Sequence, residues 1–194
     1  MELKLVKLLD LDGAPDVRTE CSDLYYHVPS IAPYAYLHTI YAPVTVDALA
    51  TFAAGLEIPD EWISFLKIQN GAEMFSNALS LYGVNDPHQL IDRSANYSQA
   101  AFSLLKVNGH SVLAGFPDYL QIGNYGYNAA RLLLSRRDGL IRVVSRSGSE
   151  TLASWPKLET YFSDELGRLS SLYSSSGILL VEKRLTVPSR SALQ

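Results

Sequence analysis

The stretch "LEIPDEWISFLKIQNGAEMF", residues 56–75, decides the fold, because it reads as one helix with a marked start and a marked stop. Ile58 precedes a proline and is pushed out of the α region, while Pro59 suits the first helical position, where no amide partner is lost. Asp60 and Glu61 then stand at the positive end of the helix dipole. Trp62, Phe65 and Leu66 follow at i, i+3 and i+4, a stripe wide enough to press one face onto a sheet. Asn70 and Gly71 close the segment, since glycine takes the left-handed conformation that ends a helix without a Cβ penalty. Nothing in the stretch is an obvious catalytic group, so its stripe reads as core.

Working outward toward the N-terminus, "VDALATFAAGLE" (46–57) places Leu49, Phe52 and Ala53 at helical spacing, followed by Leu56, and predicts a helix broken near Gly55. Before it, residues 21–44 are rich in Tyr and β-branched residues, and Pro29, Pro33 and Pro43 forbid a continuous helix, so short edge strands or extended loop are expected. Toward the C-terminus, "ALSLYGV" (78–84) is a short strand, and Asp86-Pro87 opens a second helical pattern reaching Lys106 through Leu90, Ile91, Tyr97, Ala101 and Leu105. "VNGHSVLAGFPD" (107–118) is turn-rich connection. "YLQIGNY" (119–125) is a strand with Tyr119, Gln121 and Gly123 on one side and Leu120 and Ile122 on the other. "ARLLLSRRDGLIRVVSRS" (130–147) is a hairpin whose Asp138-Gly139 pair suits a two-residue type I′ turn. Its Leu132, Leu134, Ile141 and Val143 share one face, and Ser135, Arg137 and Arg142 the other. Ser154 can cap a last helix in which Trp155, Leu158, Phe162, Leu166 and Leu169 step by three or four. The tail adds a strand at Ile178–Val181 and then frays.

A chain of 194 residues is long enough for one well-buried core, and 47% hydrophobic with 19% charged residues argues for a globular protein. The lone Cys21 cannot form an internal disulfide, the N-terminus shows an acidic residue at position 2 and no small-residue cleavage site, and no apolar run approaches the roughly 20 residues of a membrane span. A cytoplasmic protein with no membrane partner is expected. The net charge of −4 is unevenly spread, with 13 acidic and 5 basic side chains in residues 1–100 against 7 and 11 in residues 101–194. Asp10, Asp12, Asp16, Glu20 and Asp23 form one acidic cluster, and Asp47, Glu57, Asp60, Glu61 and Glu73 another. Opposing them are Arg131, Arg136, Arg137, Arg142 and Arg146. Such groups are either solvated faces or a docking surface for a charged partner.

The residues give enzyme chemistry little to work with. His27, His38, His88 and His110 are scattered, with no HExxH and no cysteine pair, so no metal, cofactor or catalytic site is expected. "RSGSE" (146–150) lacks the glycine offsets of a nucleophile elbow, and Asp60-Glu61, being adjacent, lie on different helix faces. Direct nucleic-acid binding by the arginine hairpin, with Tyr125 and Tyr127 stacking on bases, is a second class of reading; the acidic total charge opposes it and makes nucleic acid an unlikely partner.

The order of pieces resembles the SMI1/KNR4 superfamily, also called SUKH. Its "LP..y..fl...NG" helix, "l.lyg" strand, "fl.ig..g.gd.y.ld" strands and final helix correspond here to Ile58-Pro59, Trp62, Phe65-Leu66 and Asn70-Gly71, then "LSLYGV", then Tyr119-Leu120, Ile122-Gly123, Leu133 and Leu134, then "SWPKLETYFSDEL". The match covers roughly Val46 to Leu166, and each motif alone is common; the specificity lies in four motifs in order. The resemblance implies a single α+β domain, a mostly antiparallel sheet packed against several helices, with residues 46–176 as the family-like domain, 1–45 as an extension packed on it and 177–194 as a strand and tail. Where members often carry a small acidic turn, this chain has "NYGYNAA" (124–130), which suggests a specificity of its own. Bacterial members are interpreted as immunity proteins against toxins, often nucleases, of polymorphic or contact-dependent systems, and fungal members as regulators acting through protein contacts. The resemblance therefore implies a non-catalytic protein-binding domain with a cognate toxin as partner, or alternatively a regulatory interaction scaffold. Asp60, Glu61, Tyr119, Asn124, Tyr125, Tyr127 and Asn128 are its candidate partner-binding residues, carboxylates to meet a basic partner and aromatics to supply contact area.

Overall fold

The computed structural model describes residues 3–11, 13–52, 56–85, 100–109 and 115–189. Nine strands follow one another in space in the order they follow in sequence: β1 (Val17–Arg18), β2 (Ser22–His27), β3 (Tyr36–Tyr41), β4 (Ala72–Met74), β5 (Leu79–Leu81), β6 (Tyr119–Tyr125), β7 (Arg131–Ser135), β8 (Ile141–Val144) and β9 (Thr151–Trp155). Every neighbouring pair is antiparallel. Helices α1 (Leu5–Leu8), α2 (Val46–Phe52), α3 (Asp60–Leu66), α4 (Leu104–Asn108) and α5 (Leu158–Ser170) complete the α+β architecture.

Cross-strand partners lie on one face of a sheet, so the register sorts the two faces. Ile40, Ala72, Leu81, Gly123, Leu132, Val143 and Ala153 form one continuous row. Its neighbour on the same face runs through Tyr25, His38, Met74, Leu79 and Tyr125. This is the core face. Leu24, Thr39, Glu73, Ser80, Asn124, Arg131, Val144 and Thr151 make a largely polar row on the other side. On the core face lie α3 and α5, where Trp62 stacks on Phe65 at 4.5 Å and Phe65 on Phe162 at 5.4 Å. Trp62, Phe65 and Leu66 are all buried, as the stripe predicts.

The decisive stretch holds a shorter helix than expected. α3 spans only seven residues, and Pro59, with ψ at 143°, precedes it instead of occupying its first turn. Gly71 is left-handed at φ +87°, yet it launches β4 and closes no helix. The reason lies beyond the stretch: Ala72, Glu73 and Met74 are needed as a ladder between β3 and β5, and Asn70 fastens the turn. Its side-chain amide donates to the Val84 carbonyl and accepts from the Val84 amide, both at 2.7 Å, standing in for a strand. Asn108 repeats the device on Gln121, at 2.9 Å in each direction.

Four other expectations change. Residues 21–44 form β2 and an interior strand, β3, so that the segment before residue 45 supplies three of the nine strands and the sheet runs on through β4 without a break. Ser154 caps no helix, because it belongs to β9; α5 begins at Leu158 after Lys157. The Arg136–Gly139 loop is not a type I′ turn, since Ser135 N–H donates to Leu140 O at 2.9 Å around four residues and only Gly139 has positive φ. The expected shared face of Leu132, Leu134, Ile141 and Val143 nevertheless holds. In the tail, Ile178–Val181 makes only the Tyr173–Leu179 bridge, and a 3₁₀ turn follows at Lys183–Thr186. The helical pattern from Asp86 lies mostly outside the described residues, as do Ala53 and Gly55; its described end is α4, capped by the Ser103 hydroxyl accepting from Lys106 N–H.

Strand β6 contains the most consequential departure. Simple alternation from Tyr119 puts Gln121, Gly123 and Tyr125 together on the polar side. Instead Gln121 pairs with Leu133 and Gly123 with Leu132, which leaves Ile122 as an extra residue. A bulge of this kind shifts the alternation by one step, so Gly123 and Tyr125 join Leu120 on the core face.

Candidate functional site

A meander turns alternately at its two ends, and the sequence-predicted site residues divide between them. At one end, Asp60 and Glu61 occupy the exposed first turn of α3 and face the β7–β8 loop. An open depression of about 490 Å³ is lined there by residues 57–61 and 135–139, four carboxylates against the two guanidiniums of Arg136 and Arg137. Arg136 is committed to the fold: it donates to the carbonyls of Glu57 at 3.0 Å, Pro117 at 3.2 Å and Tyr119 at 2.9 Å. Arg137 pairs with Asp118 at 3.0 Å. Tyr119 is half-buried, with the Arg142 guanidinium 5.5 Å from its ring centroid and Phe116 edge-on at 5.5 Å. Glu57, Asp60 and Glu61 of one acidic cluster thus meet Arg136 and Arg137 of the basic group at this end.

Two candidates are spent on contacts within the fold, Asn124 half-buried on the polar face and Tyr125 in the core. Asn124 Oδ1 accepts from the Tyr82 hydroxyl at 2.9 Å, and that hydroxyl accepts from Gln121 Nε2 at 3.1 Å. Tyr125 is 0% exposed and cannot touch a partner. Placed on the core face by the bulge, it donates to Glu165 Oε1 at 2.8 Å and lies 3.1 Å from the Tyr161 hydroxyl. Burial, then the nearby Glu165 carboxylate, holds both phenols well above the ordinary tyrosine range, so both stay protonated.

Glu165 is itself fully buried, and burial pushes its carboxyl above the usual range against the pull of Arg168. Arg168 binds it through two nitrogens, at 2.7 and 2.6 Å, and turns its remaining donors to the carbonyls of Leu185 at 2.7 Å and Thr186 at 2.8 Å. One guanidinium therefore clamps the C-terminal strap to the core. This clamp overturns the expected fraying over these residues.

At the opposite end, the strap and the hairpin tips enclose a groove of about 550 Å³. Tyr127 stands on its rim, 54% exposed, with Ile31 at 54% and Ile178 at 49%. Asn128 is exposed beside it and shapes the turn by accepting from Ala130 N–H at 3.0 Å. The wall between them is unusual backbone: Phe75, Ser76 and Asn77 are all left-handed, at φ +54°, +50° and +67°. Tyr173 ties this turn to α5's end by donating to Phe75 O at 2.9 Å. Ile31, Asn77, Tyr173, Ile178 and Lys183 escape sequence reasoning because they come from segments about 150 residues apart along the chain. The apolar "GILL" of the tail was the available signal, read as a strand.

Among the described residues, no group of three His, Cys, Asp or Glu is placed to hold a metal ion, and no helix is long and apolar enough to cross a membrane. The fold and its grooves define an α+β domain built on a sequential antiparallel meander. Comparison with family models, curated proteins and solved structures finds no match to this chain.

Proposed function

We propose that this chain is a non-catalytic protein-binding domain, an immunity protein of the SUKH kind that occupies and blocks a toxin domain of a bacterial polymorphic or contact-dependent system. The observation that carries the reading is the groove at the Tyr127 end, where exposed aliphatic and aromatic side chains gather on one rim instead of scattering singly. Buried tyrosine and aliphatic anchors are the usual carriers of binding energy between proteins. The carboxyls of half-buried Glu73 and fully buried Glu165, whose burial would suit an acid catalyst, are instead spent inside the fold, on the Tyr41 hydroxyl and on Arg168. Direct nucleic-acid binding has weaker support, since Arg136 and Arg137 have partners and Tyr125 is buried. The test is to identify any toxin-like protein encoded beside this gene and to co-express the two. Survival that depends on this chain and is lost on Tyr127→Asp supports the reading; equal killing with and without the chain ends it.

A further inference from the structure

We propose that the groove at the Tyr127 end is a cleft for an extended peptide segment of the partner protein, which inserts an aliphatic or aromatic side chain and sets an adjoining carboxylate against Lys183. This rests on the protein-binding reading of the same surface and names what the surface selects.

Size, lining and charge point the same way. A volume of about 550 Å³ suits a few side chains and is too small for a folded element. Ile31, Tyr127, Tyr173, Ile178 and Leu179 make the lining predominantly apolar. Among the described residues Lys183 is the one charged side chain on that lining and makes no ion pair, whereas its neighbour Arg184 is paired with Glu182. An apolar trough with a single cation at its edge complements an apolar side chain next to an anion. The Ser76 hydroxyl, on the same wall, is buried with no hydrogen-bond partner among the described residues, a polar group suited to a peptide amide. The walls are also set in advance. Arg168 holds the strap at Leu185 and Thr186, and Tyr173 holds the 75–77 turn, so little ordering cost remains when a peptide enters.

The experiment titrates the full ¹⁵N-labelled chain with three acetylated, amidated peptides, Gly-Ser-Leu-Phe-Asp-Gly, its Asp→Asn analogue, and a version with Gly-Gly in place of Leu-Phe. Saturable amide shifts are expected at residues 30–31, 76–78, 126–127 and 178–186. The Asn analogue should bind about two- to fivefold more weakly, a difference of the size that one exposed charge pair supplies. Lys183→Gln should abolish that difference, and the Gly-Gly peptide should cause no shifts. Shifts at the Asp60 end, equal affinity for the Asp and Asn peptides, no saturable shift at all, or concentration-dependent shifts without peptide, which would mean a second copy fills the groove, would each overturn the proposal. Because no toxin is present, the two readings fail separately. Peptide capture without protection in the co-expression assay sinks the immunity reading alone, and protection that survives Tyr127→Asp sinks the cleft alone.

Discussion

Asn70 and Gly83 hold each other in place. A Cβ on Gly83 would collide with the Asn70 carbonyl oxygen, and the Asn70 amide bonds both main-chain groups of Val84. Asn70→Ala should strip two hydrogen bonds from a half-buried main chain and lower stability by about 2–4 kcal/mol in chemical denaturation. Asn70→Asp should cost nearly as much, because it keeps the acceptor and loses the donor. His38 provides a second test. It sits on the core face, its ring edge-on to Phe75 at 4.7 Å, and burial lowers its pKa from 6.5 to about 4. The unfolded chain takes up this proton near pH 6.5 and the folded chain only near 4, so the contribution of neutral His38 is complete above pH 6.5 and is lost as pH falls between the two values. At about 1.4 kcal/mol per pH unit the loss approaches 3 kcal/mol. The carboxyls of half-buried Glu73 and buried Glu165 shift upward and oppose this trend, so the measurement is the difference in urea-unfolding stability between wild type and His38→Leu at pH 7.5 and pH 4. A pH-independent difference would show that His38 does not titrate this way.

At the scale of elements, the clamp between α5 and the strap makes a sharp prediction. Arg168→Met leaves the buried Glu165 carboxylate with only the Tyr125 hydroxyl, and breaking such a pair costs about 3–5 kcal/mol. Limited proteolysis should then cut near Glu182–Val187 well before the rest of the chain. Pairing Arg168→Met with Glu165→Leu should recover most of the stability while the strap stays cleavable, because the carbonyls of Leu185 and Thr186 still lack their donor. Cleavage elsewhere first would remove the strap from the role assigned to Arg168. The elements also separate what local pattern conveys from what it does not. The existence of β6, the shared face of the β7–β8 hairpin and the stripe of α5 from Leu158 onward were legible, since apolar spacing reports a buried segment directly, whereas the faces of β6 beyond Gln121 were not, because the bulge reverses them. β4 was not, because three residues after an NG are too few to show a period. β9 hid inside the helical spacing of Trp155 and Leu158, two residues that are both buried but sit on different elements.

Over the whole molecule, the two ends of the meander offer opposite chemistry, carboxylates around Asp60 and Glu61 at one, and the apolar groove with Lys183 at the other. Toxin capture in a pull-down should survive Asp60→Lys with Glu61→Lys and fall by more than tenfold with Tyr127→Asp or Ile178→Asp, both exposed positions where folding is spared. The reverse pattern would move the interface to the acidic end. Retention on heparin should vanish by about 0.2 M salt, as Arg136 and Arg137, two of the arginines that would hold phosphate, already have partners.

By itself the sequence determined that this chain folds as α+β, that Trp62, Phe65 and Leu66 form a core stripe, and that a helix starts close to Pro59, because these follow from periodicity and from restrictions that act within a few residues. The tertiary structure alone decided that Tyr125 faces inward, that the strap is bound, and that Tyr127, Ile31 and Ile178 share a groove. A one-residue bulge, a salt bridge to a carboxylate and the meeting of distant turns are contacts between segments, and no local spacing encodes which segments meet.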